Sequence, residues 1–265
     1  MKHTGGRENR ISIVFIGAGN VATHLAVAMK EAGMSIRQVF SRRECNARLL
    51  ADELGCGHTT CVSNIVPDAD VYVFALKDDA LQEVIAGVAG NKGIWLHTAG
   101  SVQAEIFEGH AERYGVIYPM QTLSKRRKVD FSKVPVFVEG NTGECEDQIY
   151  RIAGEISGSV RRMSSERRKY LHLAAVFACN FSNHMYALAA QVLERQGIER
   201  GVLQPLIDET ADKLHYMSAE CAQTGPAVRY DRGVMDRHID MLHDDRMKDI
   251  YKIMSESIHN LMASE

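Results

Sequence analysis

The sequence predicts an α/β front half, a doubly wound and mostly parallel sheet, followed by an all-α back half. Three observations predict it. The pattern opens with a strand, a glycine-rich turn and a helix in ISIVFIGAGNVATHLAVAM, residues 11–29. Short β-branched runs then alternate with helix-forming stretches as far as Met163, as in a parallel sheet covered on both faces. From 165 onward no strand-like alternation remains. The expected division is 1–164 and 165–265, with no repeat, low-complexity tract or linker between them.

Each part of the opening motif has a physical reason. Ile11 to Ile16 is a short apolar run suited to a buried strand. Gly17 allows a tight turn out of it. Gly19 lacks a side chain, so a pyrophosphate can approach the backbone. Ala22 is small enough for the helix to pack closely on the strand. The helix N-terminus then offers free N–H groups and a positive dipole end to phosphate. Gly17, Ala18, Gly19, Asn20 and Val21 are therefore the expected cofactor-binding turn.

The second strand, Ile36–Phe40, ends in Ser41-Arg42-Arg43. An NAD site usually keeps an acid here for the ribose 2′-OH. A hydroxyl and two guanidiniums instead suit a 2′-phosphate, hence NADP(H). The alternative makes Glu44 the ribose acid and leaves the arginines as solvated charge. Further strands are expected at 58–62, 71–76, 94–97, 116–118, 134–138 and 160–163, and helices at 44–54, 78–89, 102–113 and 143–156.

Ligands of such sheets bind beyond the carboxyl ends of the strands. That rule selects 17–22, 41–43, 76–79, 97–101 and 119–125. It adds Leu76, Lys77 and Thr98 to the cofactor set and marks His97 as a candidate proton donor. Ser101, as N-cap or substrate contact, and Gln121 become candidate substrate residues. The run Lys125–Lys128 reads as a solvated basic face that could draw in an anion.

In the back half, helices are expected at 165–196, 199–223, 231–244 and 246–262, and seven of the twelve methionines fall there, with Met163 just before it. The stretch KYLHLAAVFACNFSNHMY, residues 169–186, sets Lys169, His172, Asn180, Asn183 and His184 in an otherwise apolar helix. At about 100° per residue they fall on one side, a stripe suited to a cleft beside the cofactor. His172 and Asn180 are accordingly candidate catalytic residues, and Asn183 and His184 candidate substrate contacts. His238 and His243, five apart, do not share a helical face, and no metal site is expected.

The remaining features narrow the class. Net charge is −3, which gives no electrostatic case for nucleic acid. No apolar run reaches the about 18 residues of a membrane span, and the polar start MKHTGGRENR lacks the apolar core of a secretory leader. Six cysteines without CxxC pairs read as reduced thiols of a cytoplasmic protein.

The motifs GAGNVA, FSRR, LHTAGS, YPMQTLSK, HLAAVFACNFSNHMY and QTGPAVRYD, in that order, resemble the bacterial NADP-oxidoreductase-like proteins. These join a Rossmann-like domain to a helical domain of unknown function, and the resemblance runs over about 11–262. In layout the group is similar to pyrroline-5-carboxylate reductase, deazaflavin-dependent NADP oxidoreductases and the 6-phosphogluconate dehydrogenase set. The resemblance implies a homodimer formed through the helical half and a small-molecule substrate held between the halves. It also implies hydride transfer between NADP(H) and a small polar carbonyl, imine or hydroxyacid-type substrate. His172 or His97 would donate the proton and Asn180 would orient the substrate or the nicotinamide amide. A non-catalytic NADP(H) sensor and a deazaflavin–NADP hydride exchanger are the competing expectations. The catalytic lysine of the hydroxyacid dehydrogenases does not transfer, because Lys169 and Asn180 are too far apart in sequence.

Overall fold

The computed structural model describes residues 10–263. Residues 1–9, most of the start read above for a leader, lie outside the described residues, as do 264–265. The chain forms two compact units that divide between Val176 and Phe177.

The first unit is an eight-stranded sheet in the order β3-β2-β1-β4-β5-β6-β7-β8. Its strands are β1 (Ser12–Ile16), β2 (Ser35–Phe40), β3 (Gly57–Thr59), β4 (Val71–Phe74), β5 (Ile94–His97), β6 (Tyr114–Pro119), β7 (Val136–Gly140) and β8 (Val160–Arg162). β1 to β6 are mutually parallel, so their carboxyl tips share one edge. β7 runs antiparallel to β6, pairing Val136 with Pro119 at that edge, and β8 is parallel to β7.

Alternating side chains give each face its own core. Helices α1 (Asn20–Glu31), α2 (Glu44–Leu54) and α4 (Gly143–Gly154) pack on one face. There Ile13, Phe15, Val73, Leu96 and Val138 meet Leu25, Leu50 and Ile149, all essentially buried. The other face carries α3 (Asp78–Gly87) and an aromatic group of Tyr72, Phe74, Trp95 and Phe107. The helix starts follow local chemistry: the Thr142 hydroxyl accepts from the Cys145 N–H, and α2 ends at Gly55 in the left-handed region.

One expected helix is absent. Residues 102–113 form only a 3₁₀ turn, Ala104–Phe107, rather than an α-helix. Gly109 at φ +78° ends any continuation. The Val102 carbonyl is taken by Arg168, and the Gln103 carbonyl is shared between His97 and the Ile106 N–H of the 3₁₀ turn.

The expected boundary at 164/165 also shifts. Helix α5 (Ser165–Ala175) belongs to the sheet unit. The Arg168 guanidinium, fully buried, donates to Glu139 of β7 at 2.6 Å and to the Ser165 hydroxyl at 2.9 Å. Ser165 in turn donates to both Glu139 oxygens. These bonds fasten the start of α5 to the sheet.

The second unit contains α6 (Ser182–Glu194), α7 (Gln204–Asp212), α8 (Ala219–Ala222), α9 (Arg232–Met241) and α10 (Asp245–Ala263). The expected helix 199–223 is broken into α7, α8 and 3₁₀ turns. The expected continuous helix 165–196 is interrupted by a π-helical stretch, Val176–Phe181. Among the described residues, no helix is long and apolar enough to cross a membrane.

Candidate active site

The glycine turn is shaped by the end of the neighbouring strand. Gly17 sits at φ +122°, and a Cβ on it would lie 2.2 Å from the carbonyl oxygen of Ala75. The turn therefore needs glycine for both its backbone angle and its space. Leu76 lies against it, half-buried. Gly19 is exposed and caps α1 with no side-chain hydrogen bond, and the first turn of α1 has no acid. Its leading N–H groups are thus open to an anion. Ala22 is fully buried under the sheet. This cradle fits the pyrophosphate of a dinucleotide.

At the tip of β2, Arg42 and Arg43 are exposed. Arg42 has only a distant partner, Glu83 at 3.9 Å, and Arg43 makes no ion pair among the described residues. The Ser41 hydroxyl accepts from the Arg43 N–H. Glu44, the alternative ribose acid, is 2.9 Å from His58 Nε2 and already has a partner. Lys77 is exposed at the N-cap of α3, and Thr98 is buried with its N–H on the Phe74 carbonyl.

The two candidate histidines of this unit have different surroundings. His97 is completely buried. Its Nδ1 accepts from the Ala99 N–H at 3.1 Å, and its Nε2 donates to the Gln103 carbonyl at 3.3 Å. Burial first, and then the charge of Arg168, push its pKa down to about 3. His97 is a neutral bracket for the turn after β5. Its Nε2 proton is held on the Gln103 carbonyl and its Nδ1 is taken by the Ala99 N–H.

His172 is half-exposed and lies at the strand tips. α5 starts beside Glu139 and climbs about 10 Å over seven residues. That climb brings His172 to Tyr118, near the end of β6. His172 Nδ1 is 3.0 Å from the Tyr118 hydroxyl. A Cβ at residue 100 would come within 2.6 Å of the imidazole ring, so Gly100 is what admits the ring to the β5 turn. Tyr118 is 9% exposed, and burial raises its pKa, partly offset by Arg168. The phenol therefore keeps its proton at neutral pH.

The other candidates are less gathered. The Ser101 hydroxyl donates to Asp78 at the start of α3, so it caps no helix of its own. The Gln121 side chain accepts from the neighbouring Thr122 N–H and is exposed. Asn180, Asn183 and His184 belong to the second unit, where they are exposed and make no side-chain hydrogen bond among the described residues. Asn180 lies within the π stretch. A wheel drawn at 100° per residue does not apply across it, because a π turn advances each residue by less. The single stripe expected from Lys169 to His184 is withdrawn for that reason.

Sequence reasoning missed three participants. Tyr118 opens the motif YPMQTLSK, but at the end of an apolar strand it reads as core rather than as a site residue. Lys125, inside the basic run, donates to the Ala18 carbonyl at 2.7 Å. Arg168 reads as one more charge in SERRKY but is fully buried. A hint lay in its spacing three residues after Ser165, one turn along the same face.

Residues 12–95 match the family described as NADP oxidoreductase, coenzyme F420-dependent, and residues 134–258 match a domain of unknown function. No curated protein matches the chain. Among solved structures, a candidate NADP oxidoreductase of Bacteroides fragilis is 46% identical, with a TM-score of 0.92 over 95% of this chain and 98% of that one. A reductive aminase of Aspergillus terreus, in complex with NADPH and ethyl-5-oxohexanoate, shares the fold. It is 14% identical, with a TM-score of 0.70 over 96% of this chain and 93% of that one. A pyrroline-5-carboxylate reductase of Coxiella burnetii shares it as well, at 18% identity and a TM-score of 0.58 over 97% and 98% of the two chains. With the open glycine cradle, and with 46% identity along nearly the full length of both chains, this chain belongs to the NADP oxidoreductase family that joins a Rossmann coenzyme domain to a helical domain of unknown function.

Proposed function

We propose that the protein reduces or oxidises a small polar carbonyl, imine or hydroxyacid-type substrate with NADP(H), and that His172 supplies the proton. The observation that carries the reading is the Tyr118–His172 pair at the strand tips. Bound there, the nicotinamide supplies the hydride. The residues of the chain do the rest. Gly17 to Val21 receive the pyrophosphate, and Leu76, Lys77 and Thr98 line the neighbouring tips. Ser41, Arg42 and Arg43 receive the 2′-phosphate, which Glu44, held by His58, does not contest. In its protonated form His172 donates from Nδ1 to the Tyr118 oxygen. The second proton, on Nε2, passes to the developing alkoxide or amine and leaves a neutral imidazole. Ser101 and Gln121 are placed to touch the substrate only after leaving their present partners.

The fold likeness to reductive aminases and pyrroline-5-carboxylate reductases favours imines within that substrate range. The description of the family matched by residues 12–95 names coenzyme F420, which supports hydride exchange with a deazaflavin as the second reading.

The same reading includes a cytoplasmic location, supported by six unpaired cysteines. It also includes a homodimer in which a second copy covers the apolar side chains of the helical unit. Leu206, Tyr216, Met241 and Ile253 stand open to solvent there.

The test is turnover of a panel of cyclic imines, ketones with amines, hydroxyacids and a deazaflavin, followed by NADPH absorbance. His172→Ala is expected to keep NADPH affinity and lose about a hundredfold or more in turnover. Turnover of no panel member would support the sensor reading, and undiminished turnover in the variant would remove His172 from the chemistry.

A further inference from the structure

Residues 120–135, between β6 and β7, cross the face of the sheet that carries α1. Phe131 and Val134 are buried there in the same cluster as Ala22 and Leu25. Two contacts pin the middle of this strap to the glycine turn and its helix. His24 Nε2, on α1, lies 2.9 Å from the Ser124 carbonyl. Lys125 Nζ donates to the carbonyl of Ala18, the residue between the two glycines, at 2.7 Å. The ammonium has three donors, of which that carbonyl takes one. The rest of the basic run behaves differently. Arg126, Arg127 and Lys128 are exposed, as Lys125 is, but make no side-chain hydrogen bond or ion pair among the described residues.

We propose that Lys125 binds the cofactor, its ammonium neutralising the dinucleotide pyrophosphate at the glycine turn. The glycine turn of this fold holds phosphate through backbone N–H groups and the helix dipole. Here a side-chain charge is added, carried by a strap from the far end of the sheet. The proposal rests on the dinucleotide reading of the turn. It divides the phosphate contacts in two: Lys125 serves the pyrophosphate common to NADPH and NADH, and Arg42 and Arg43 serve the 2′-phosphate alone.

Titration calorimetry separates these roles, with NADPH, NADH and adenosine 2′-monophosphate as probes. The last has the 2′-phosphate and no pyrophosphate. Lys125→Met is expected to weaken both dinucleotides by about ten- to a hundredfold, the loss of a charge-assisted hydrogen bond. It leaves the 2′-monophosphate unchanged. NADPH affinity should also fall less steeply with added salt, since one fixed charge is gone. Lys125→Arg, which keeps the charge, restores most of the affinity. Unchanged dinucleotide affinity in Lys125→Met would overturn the proposal. So would an equal loss for the 2′-monophosphate, which would mean that the strap merely shapes the turn. Arg42→Ala with Arg43→Ala is the companion variant. If it weakens NADPH and NADH equally while Lys125→Met behaves as expected, the 2′-phosphate assignment fails and the Lys125 assignment stands. Failure of the wild-type protein to bind either dinucleotide overturns both.

Discussion

In the sheet unit, the large apolar residues of the strands and of the helices packed on them are removed from water, while Leu49, Tyr170 and Leu173 on outer helix faces are not. Trp95, Phe15, Phe40, Phe74 and Phe107 are all essentially inaccessible. In the helical unit the same residue types stay wet: Tyr216 is 79% exposed and Met241 71%. Its buried apolar residues are few, among them Ala227, Met235 and Met247. The sheet unit satisfies its hydrophobic pattern within one chain. The helical unit has the pattern without the burial, and its open apolar side chains are the surface that the proposed second copy would cover.

Charge shows the same contrast on a smaller scale within the sheet unit. Arg168 and Glu139 pair almost out of reach of water, whereas Arg162 meets Glu146 and Asp147 in the open. Removing one partner of a buried pair strands the other, and exposed pairs contribute little.

The comparison breaks first at Arg168. Arg168→Ala is expected to lower the stability of the sheet unit by about 3–5 kcal/mol in urea unfolding, against under about 1 kcal/mol for Arg162→Ala. Equal effects would mean that burial does not set the importance of these charges.

His97 gives the next largest effect. Its folded pKa of about 3 lies below the unfolded value of about 6.5. The unfolded chain therefore takes up the proton first. The stabilisation from keeping His97 neutral is fully present above about pH 6.5 and is lost as pH falls towards 3. By pH 5 that loss is about 2 kcal/mol. A His97→Gln variant should show a flatter acid limb between pH 6.5 and 4 in chemical unfolding. An unchanged slope would assign acid sensitivity to other groups.

The smallest effect sharpens the contrast between the units. Ile253→Asp, on an exposed stretch of α10, is expected to shift a dimer towards monomer in light scattering at micromolar concentration. It should leave the urea stability of the monomer within about 0.5 kcal/mol. A wild-type protein that is already monomeric would remove the proposed partner surface.

Much of the sheet was legible because its code is local. β-branched runs marked β1, β2, β4 and β5 within a residue or two, and α2 fell at 44–54 as expected. The misses came where backbone groups are claimed from a distance. In the segment 102–113 the Val102 carbonyl goes to Arg168, a partner that no local pattern reveals, and only a 3₁₀ turn forms. The π stretch at 176–181 likewise leaves no periodicity to read. In the site, the glycine turn and the arginines were visible as a motif. The Tyr118–His172 and Lys125–Ala18 contacts join residues 54 and 107 apart in sequence, and only the folded sheet brings such residues together.

The fit between residue 100 and the imidazole of His172 has a consequence for how this chain can change over time. The ring fills the volume that any side chain at 100 would occupy. Substitutions at the two positions are therefore not independent. Gly100→Ala should be tolerated when residue 172 is small and harmful when it is histidine. A lineage could then gain or lose the histidine only by a path that keeps glycine at 100 until the ring is gone.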